Sequence, residues 1–274
     1  MKDNNPGSPT EGDRRAKAVK IIGLILFITL VGSLIYSFVR FCTAPAEIAE
    51  DTYGKIKADY LLMVVQCLLG TLVMMLPSFL ARRFKVVVPG AVVIMYFAFL
   101  YCAIYLGEIR NFYYLIPHWD TILHGFSGAM LGALGFILVD LLNKDPHVRV
   151  NLSPFFVAVF AFCFALAAGS LWEVYEFTFD AVLGLNMQKH TTAAGVALSG
   201  ALALSDTMKD IIVDALAALA VAILGYLTET KKEERLIAFL LFIVCVCRDR
   251  RLGYCSQHST QQTRETTKST QQLP

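Results

Sequence analysis

The chain has 274 residues, of which 56% are hydrophobic and 17% charged, and its mean hydropathy is +0.58. Soluble domains usually carry about 25% charged residues, so this composition excludes disordered, collagen-like and nucleic-acid-binding classes and argues against an ordinary cytosolic enzyme. The 24 lysines and arginines nearly balance the 22 aspartates and glutamates, and a net charge of +2 gives no general attraction for acidic partners.

Residues 1–18 are polar and read as a disordered cytoplasmic tail. The next stretch, Ile21 to Val39, is uncharged over 19 residues and long enough to span a bilayer. Ala44-Pro45-Ala46 has the small residues of a cleavage site, but the intervening proline favours an uncleaved anchor. Further apolar blocks run Tyr60 to Leu80, Val86 to Gly107, Thr121 to Leu142, Phe155 to about Val174, and Ile211 to Leu227. The expected fold is therefore an all-α integral membrane protein, a bundle of about six transmembrane helices within residues 19–232. Ala193 to Ser205 is uncharged but too short to cross, and suits a re-entrant or interfacial segment. Residues 233–252, with the apolar run Leu236 to Cys247 ahead of Arg248, Arg250 and Arg251, read as an interfacial helix. Residues 253–274 are rich in Ser, Thr and Gln and read as a disordered tail.

The distribution of basic residues sets the expected orientation. With the N-terminus inside, Lys2, Arg14, Arg15, Lys17, Lys20, Arg82, Arg83, Lys85, Lys144, Arg149, Lys231, Lys232 and Arg235 fall on the cytoplasmic side. Arg40, Lys55, Lys57, Arg110, Lys189 and Lys209 fall outside. Thirteen against six favours both termini in the cytoplasm, and Asn151-Leu152-Ser153 is then a chance glycosylation match. The seven cysteines form no CxxC pair and read as small apolar residues. Phe112, Tyr113, Tyr114, Trp119 and Trp172 suit an interfacial aromatic belt. Membrane lipids are the expected contacts, no nucleic acid is expected, and the sequence names no protein partner.

The ionisable residues near the membrane gather in one leaflet. Asp120 and His124 stand four apart at the start of the fourth span, Glu173, Glu176 and Asp180 leave the fifth, and Asp206, Asp210 and Asp214 enter the sixth. The same helices continue as small residues (Gly128, Gly132, Gly135, Ala165, Gly169, Ala218, Ala222, Gly225) that permit close backbone approach. The acids should therefore face a shared interior, where intramembrane charge is normally found. Acids at a helix N-terminus also stabilise its dipole, which accounts for Asp120 or Asp206 taken singly. It does not account for Glu173 and Glu176, near a C-terminus, or for Asp214 within the span. Like-charged carboxylates in a low-dielectric setting cannot all ionise unaided. A divalent cation (Zn, Mn, Fe or Mg), proton sharing, or neutralisation by Lys209, Arg110, Lys189 or His190 would each relieve them.

Trp119-Asp120-xxx-His124-Gly125, Trp172-Glu173-xx-Glu176 and Asp206-Thr207-xx-Asp210-xxx-Asp214 together resemble the YjdF-like bacterial inner-membrane family, itself of unknown function. A looser similarity reaches the VanZ-like membrane proteins, although Asp214 stands where those tend to have Asn and Glu176 where they often have Gln. The resemblance covers about Tyr60 to Leu227. It implies a multi-pass protein of the bacterial plasma membrane and brings no established reaction.

Three functions remain open on the sequence. The first is a metal-dependent membrane enzyme acting on a lipid or lipid-linked substrate, with Asp120, His124, Glu173, Asp206 and Asp210 as cation ligands and Glu176 or Asp214 as general base. The second is a small cation- or proton-coupled transporter, and the third a non-catalytic interaction protein whose acids hold a polar interhelical network. The sequence has no P-loop, GxSxG elbow, HExxH or dinucleotide-binding glycine motif.

Overall fold

A computed structural model describes residues 11–46, 55–84, 88, 90–144, 152–192 and 196–231. The helices are α1 (Glu11–Thr43), α2 (Lys57–Val73), α3 (Leu76–Phe84), α4 (Gly90–Leu100, continuing in π-helical form over Tyr101–Ile109), α5 (Phe112–Leu115), α6 (Trp119–Lys144), α7 (Pro154–Leu183) and α8 (Ala201–Lys231). Six stretches are long and apolar enough to cross a membrane: Asp13–Thr43, Lys57–Arg83, Gly90–Ile109, Trp119–Val139, Pro154–Leu183 and Ala201–Thr228. They coincide with the six blocks read from the sequence. The expected interfacial helix at 233–252, the tail at 253–274 and Asn151 lie outside the described residues.

Two boundaries differ from the sequence expectation. The first helix begins at Glu11, inside the stretch expected as a tail, because Arg14, Arg15, Ala16 and Lys17 are good helix formers behind an acidic first turn. The uncharged run at 193–205 is divided rather than separate: α8 takes up 201–205, preceded by Gly200 at φ +60°. On the other side, Thr191 and Ala197 form an antiparallel bridge.

Local chemistry explains the breaks. Pro77 has no N–H to offer Val73, so the second span divides between α2 and α3. The released Val73 carbonyl accepts instead from the Tyr96 hydroxyl at 2.7 Å, which ties α2 to α4. Helix α7 starts where the Ser153 hydroxyl accepts from the Phe156 N–H, with Pro154 in the first turn. It ends at Gly184, whose left-handed φ of +65° lets its N–H reach the Asp180 carbonyl.

Helices α1, α2 and α4 pack around Leu26, Leu30, Cys67, Phe97, Leu100 and Ile104. Helices α6, α7 and α8 pack pairwise into a second group. Polarity is inverted relative to a soluble protein. Leu24, Ile28, Ile35, Leu72, Leu171 and Val182 are exposed, while His124, Glu173, Asp180, Asp210 and Asp214 are buried. Such an exterior belongs against lipid.

The α6–α8 group is close-packed because glycines remove side chains at the crossings. A Cβ on Gly135 would lie 2.6 Å from the Ala161 Cα, and one on Gly132 would lie 3.3 Å from the Val221 side chain. The Phe136 ring covers Gly225. Since α6 starts, α7 ends and α8 starts at the same end of the group, Asp120, Glu173 and Asp210 are brought to one level.

Candidate functional site

At that end, His124 is the centre of a ring of carboxylates. Its Nε2 lies 3.8 Å from Asp120 Oδ1, 3.9 Å from Glu173 Oε1 and 4.0 Å from Asp210 Oδ2. Its other nitrogen, Nδ1, lies 3.2 Å from Asp214 Oδ2. An ionised carboxylate only accepts, so the Nδ1 proton is the one donated to Asp214. The single Ser127 hydroxyl proton is within reach of both the second oxygen of Asp214, at 3.2 Å, and the His124 carbonyl, at 2.9 Å. Asp214 is 2% exposed, the least accessible ionisable group among the buried polar residues.

Two glycines make room for that carboxylate. A Cβ on Gly169 would stand 2.5 Å from Asp214 Oδ2, and one on Gly128 would stand 2.7 Å from the Asp214 carbonyl oxygen. The small-residue faces of α6 and α7 therefore seat the acid that holds His124, as well as letting helices approach.

Facing Nε2, the three carboxylates are only partly satisfied. Glu173 Oε1 and Asp210 Oδ1 are buried without a hydrogen-bond partner among the described residues. Separations of 3.8–4.0 Å from Nε2 exceed hydrogen-bond length. Asp120, His124 and Asp210 nevertheless offer ligand atoms that all lie within 4.8 Å of one another. Ligands around a tetrahedral ion bound at about 2.1 Å would stand about 3.4 Å apart, so closing the set around an ion takes a contraction of about half an ångström between His124 and each carboxylate, and of up to about 1.4 Å across the widest pair.

The other acids expected at this site are placed differently. Asp206 pairs with Lys209 at 3.2 Å on its own helix. Glu176 accepts from the Trp172 indole N–H at 2.8 Å, so Trp172 serves an intrahelical bond. Asp180, one face-turn further along α7, clamps the segment after the helix: its two oxygens accept from the backbone N–H groups of Met187 (2.8 Å) and Gln188 (3.0 Å). His190 Nδ1 lies 3.4 Å from the same carboxylate. Leu185 and Met187 are buried against Leu62, Tyr175 and Phe179. Substituting Asp180 by alanine leaves two backbone donors without an acceptor, a local cost of about 1–3 kcal/mol. Amide exchange at Met187 and Gln188 is expected to speed up about 10-fold or more, while amides at the centre of α7 keep their protection.

The clamped segment delivers Lys189. Its Nζ donates to the Met187 carbonyl at 2.9 Å and sits 4.6 Å from the centre of the Tyr113 ring. Tyr113 in turn lies on Gly107, where a Cβ would meet the ring. Burial pushes the Lys189 ammonium down, but Glu108, Asp120 and Glu176 outweigh it and hold its pKa above the ordinary lysine value. Lys189 is therefore a permanent positive charge beside the ring of acids. A cavity of about 360 Å³ adjoins it, sharing Asp120 with the ring and reaching Tyr113, Tyr114 and Trp119. Three of the aromatic residues expected as a belt, Tyr113, Tyr114 and Trp119, thus line a pocket, and Phe112 and Trp172 lie outside its lining.

Residues 20–231 match the family model described as a predicted membrane protein (DUF2238). An uncharacterized protein of Thermotoga maritima is 31% identical over 126 residues, covering 46% of this chain and 56% of that relative. No solved structure matches. The chain, with its six apolar spanning helices, belongs to the DUF2238 family of membrane proteins.

Proposed function

We propose that the protein is a metal-dependent membrane enzyme acting on a lipid or lipid-linked substrate. Asp120, His124 through Nε2, and Asp210 form the cation site, and Glu173 completes it from α7. The observation that supports this most is the orientation of His124. With its Nδ1 proton directed at Asp214, Nε2 faces three acids at distances too long for hydrogen bonds. A proton on Nε2 would satisfy none of them well, whereas a cation between them would meet all four. Two of those acids also keep a buried, unpartnered oxygen. Three carboxylates and an imidazole suit Mn²⁺, Fe²⁺ or Zn²⁺.

In this reading Asp214 orients the histidine and raises its basicity from behind, rather than acting as a general base. Asp206, held by Lys209, is not a ligand, and Glu176 borders the site. A bound cation would polarise a substrate oxygen or generate a nucleophile from water. Beyond Asp214, the buried side chains described on α7 and α8 are Ala158, Ala161, Ala165, Ala218, Val221 and Ala222. Among the described residues, that apolar continuation of α7 and α8 offers a relay no onward groups, which supports an enzyme over a transporter.

Metal content tests the proposal. The full chain, purified in detergent, stripped with chelator and dialysed against Mn²⁺ or Zn²⁺, is expected to retain about one equivalent. The isosteric Asp120→Asn/Asp210→Asn double variant, its helical fold checked by circular dichroism, is expected to retain none. At a metal concentration of about 100 times Kd, binding should add about 2.7 kcal/mol of stability, read as a rise in Tm. A wild-type protein without stoichiometric metal would reduce the acids to a polar network between helices.

A further inference from the structure

The cavity beside the ring has a chemical character of its own. At about 360 Å³ it falls within the range of small-molecule pockets. Of its two acids, Asp206 pairs with Lys209 at 3.2 Å and Asp120 belongs to the proposed cation site. What remains uncommitted around it is a set of donors. Lys189 uses one N–H on the Met187 carbonyl and keeps others. The Tyr114 hydroxyl accepts from Asn186 at 3.1 Å, so its own proton is spare. Thr192 is in the same position, accepting from the Val196 N–H at 3.2 Å. Trp119 and Thr121 border the pocket, with Trp119 Nε1 and Thr121 Oγ1 closed off behind its surface and without a partner among the described residues. An indole N–H can only donate.

A set of donors around one uncommitted ammonium, Lys189, selects an acceptor-rich anion. An ammonium headgroup would find Asp206 taken by Lys209 and Asp120 committed to the cation site, and a neutral carbonyl would leave most of the donors unused. We infer that this pocket binds a phosphate group, presented as a phospholipid headgroup or as free phosphate, next to the cation site. The inference rests on the proposed function for that neighbouring cation and for the commitment of Asp120 to it, and it names the substrate chemistry that the enzyme reading leaves open. A phosphate there would place its oxygens between Lys189 and the Asp120 side of the ring, the geometry in which a cation and an ammonium share one anion.

The test uses the full chain in dodecyl maltoside, titrated in one arm with inorganic phosphate and in the other with dioctanoyl phosphatidic acid, both followed by calorimetry and indole fluorescence. Binding in either arm is expected, and a tighter second arm identifies a lipid as the source. Lys189→Gln should weaken binding about 10-fold or more, the loss of one charge-assisted hydrogen bond. Thr192→Val, at an exposed position, gives a second variant and a smaller loss. Each titration is repeated with chelator and with Mn²⁺. Lys189-dependent phosphate binding in chelator supports the pocket even where the protein takes up no metal. Metal uptake without phosphate or phosphatidic acid binding overturns this inference and leaves the cation site intact. Equal affinity in wild type and both variants also overturns it.

Discussion

Asparagine at position 214 is expected to weaken metal binding by about 10- to 100-fold while leaving the helical bundle assembled. The size follows from what a carboxylate behind a metal-bound histidine does elsewhere: it fixes the tautomer and raises ligand basicity. Asparagine has the same shape, and its Oδ1 still accepts the Nδ1 proton of His124, so the ring stays oriented. Its amide nitrogen would face Ser127, whose hydroxyl can turn to accept. Only the negative charge is removed. In a thermal titration the metal-dependent part of the stability should therefore shrink by about 1.4–2.8 kcal/mol at a fixed metal concentration. A purely structural Asp214 gives the opposite pattern: a lower Tm without metal and an unchanged metal affinity. That result would remove the histidine orientation argument from the proposed function.

The separation of Asp214 from Asp206 shows how far the sequence carries. The ladder at 206, 210 and 214 reads as one helical face, and the fold confirms that α8 turns Asp210 and Asp214 inward. Each four-residue step, however, overshoots a full turn by about 40°. Over two steps Asp206 rotates about 80° from Asp214, far enough to meet Lys209 on the helix surface instead of His124. On α7, Glu176 is about 60° from Glu173 by the same count, and it bonds Trp172 on its own helix. The spans were legible because a bilayer demands uninterrupted apolar length. The division between His124 Nε2 and Nδ1 was not, because which carboxylate reaches which nitrogen depends on the crossing of α6 with α8. Ser127 carries no motif at all. The Asp180 clamp has a trace in the sequence, an acid four residues before Gly184, but its partners at 187 and 188 are set by the turn that follows.

Gly169→Ala and Gly128→Ala are expected to cost stability through different atoms, and that difference is measurable. Overpacking a close-packed interface costs about 1–3 kcal/mol. At Gly169 the added methyl meets the Asp214 side chain, 2.5 Å from Oδ2 and 3.1 Å from Cγ. At Gly128 it meets the Asp214 backbone, 2.7 Å from the carbonyl oxygen and 2.9 Å from Cα. Shortening Asp214 to alanine removes the first obstacle and leaves the second. In a double-mutant cycle with Asp214→Ala, the cost of Gly169→Ala should largely vanish, with a coupling of about 1 kcal/mol or more, while that of Gly128→Ala persists. Metal affinity separates them again. Gly169→Ala forces the carboxylate to rotate away from Nδ1 and should weaken metal binding as strongly as Asp214→Asn. Gly128→Ala pushes α6 and α8 apart as bodies, and should lower the Tm of metal-free and metal-loaded protein alike. Equal coupling at both glycines would mean that the carboxylate has no fixed seat, and a histidine held by a mobile acid could not keep Nε2 aimed at the ring.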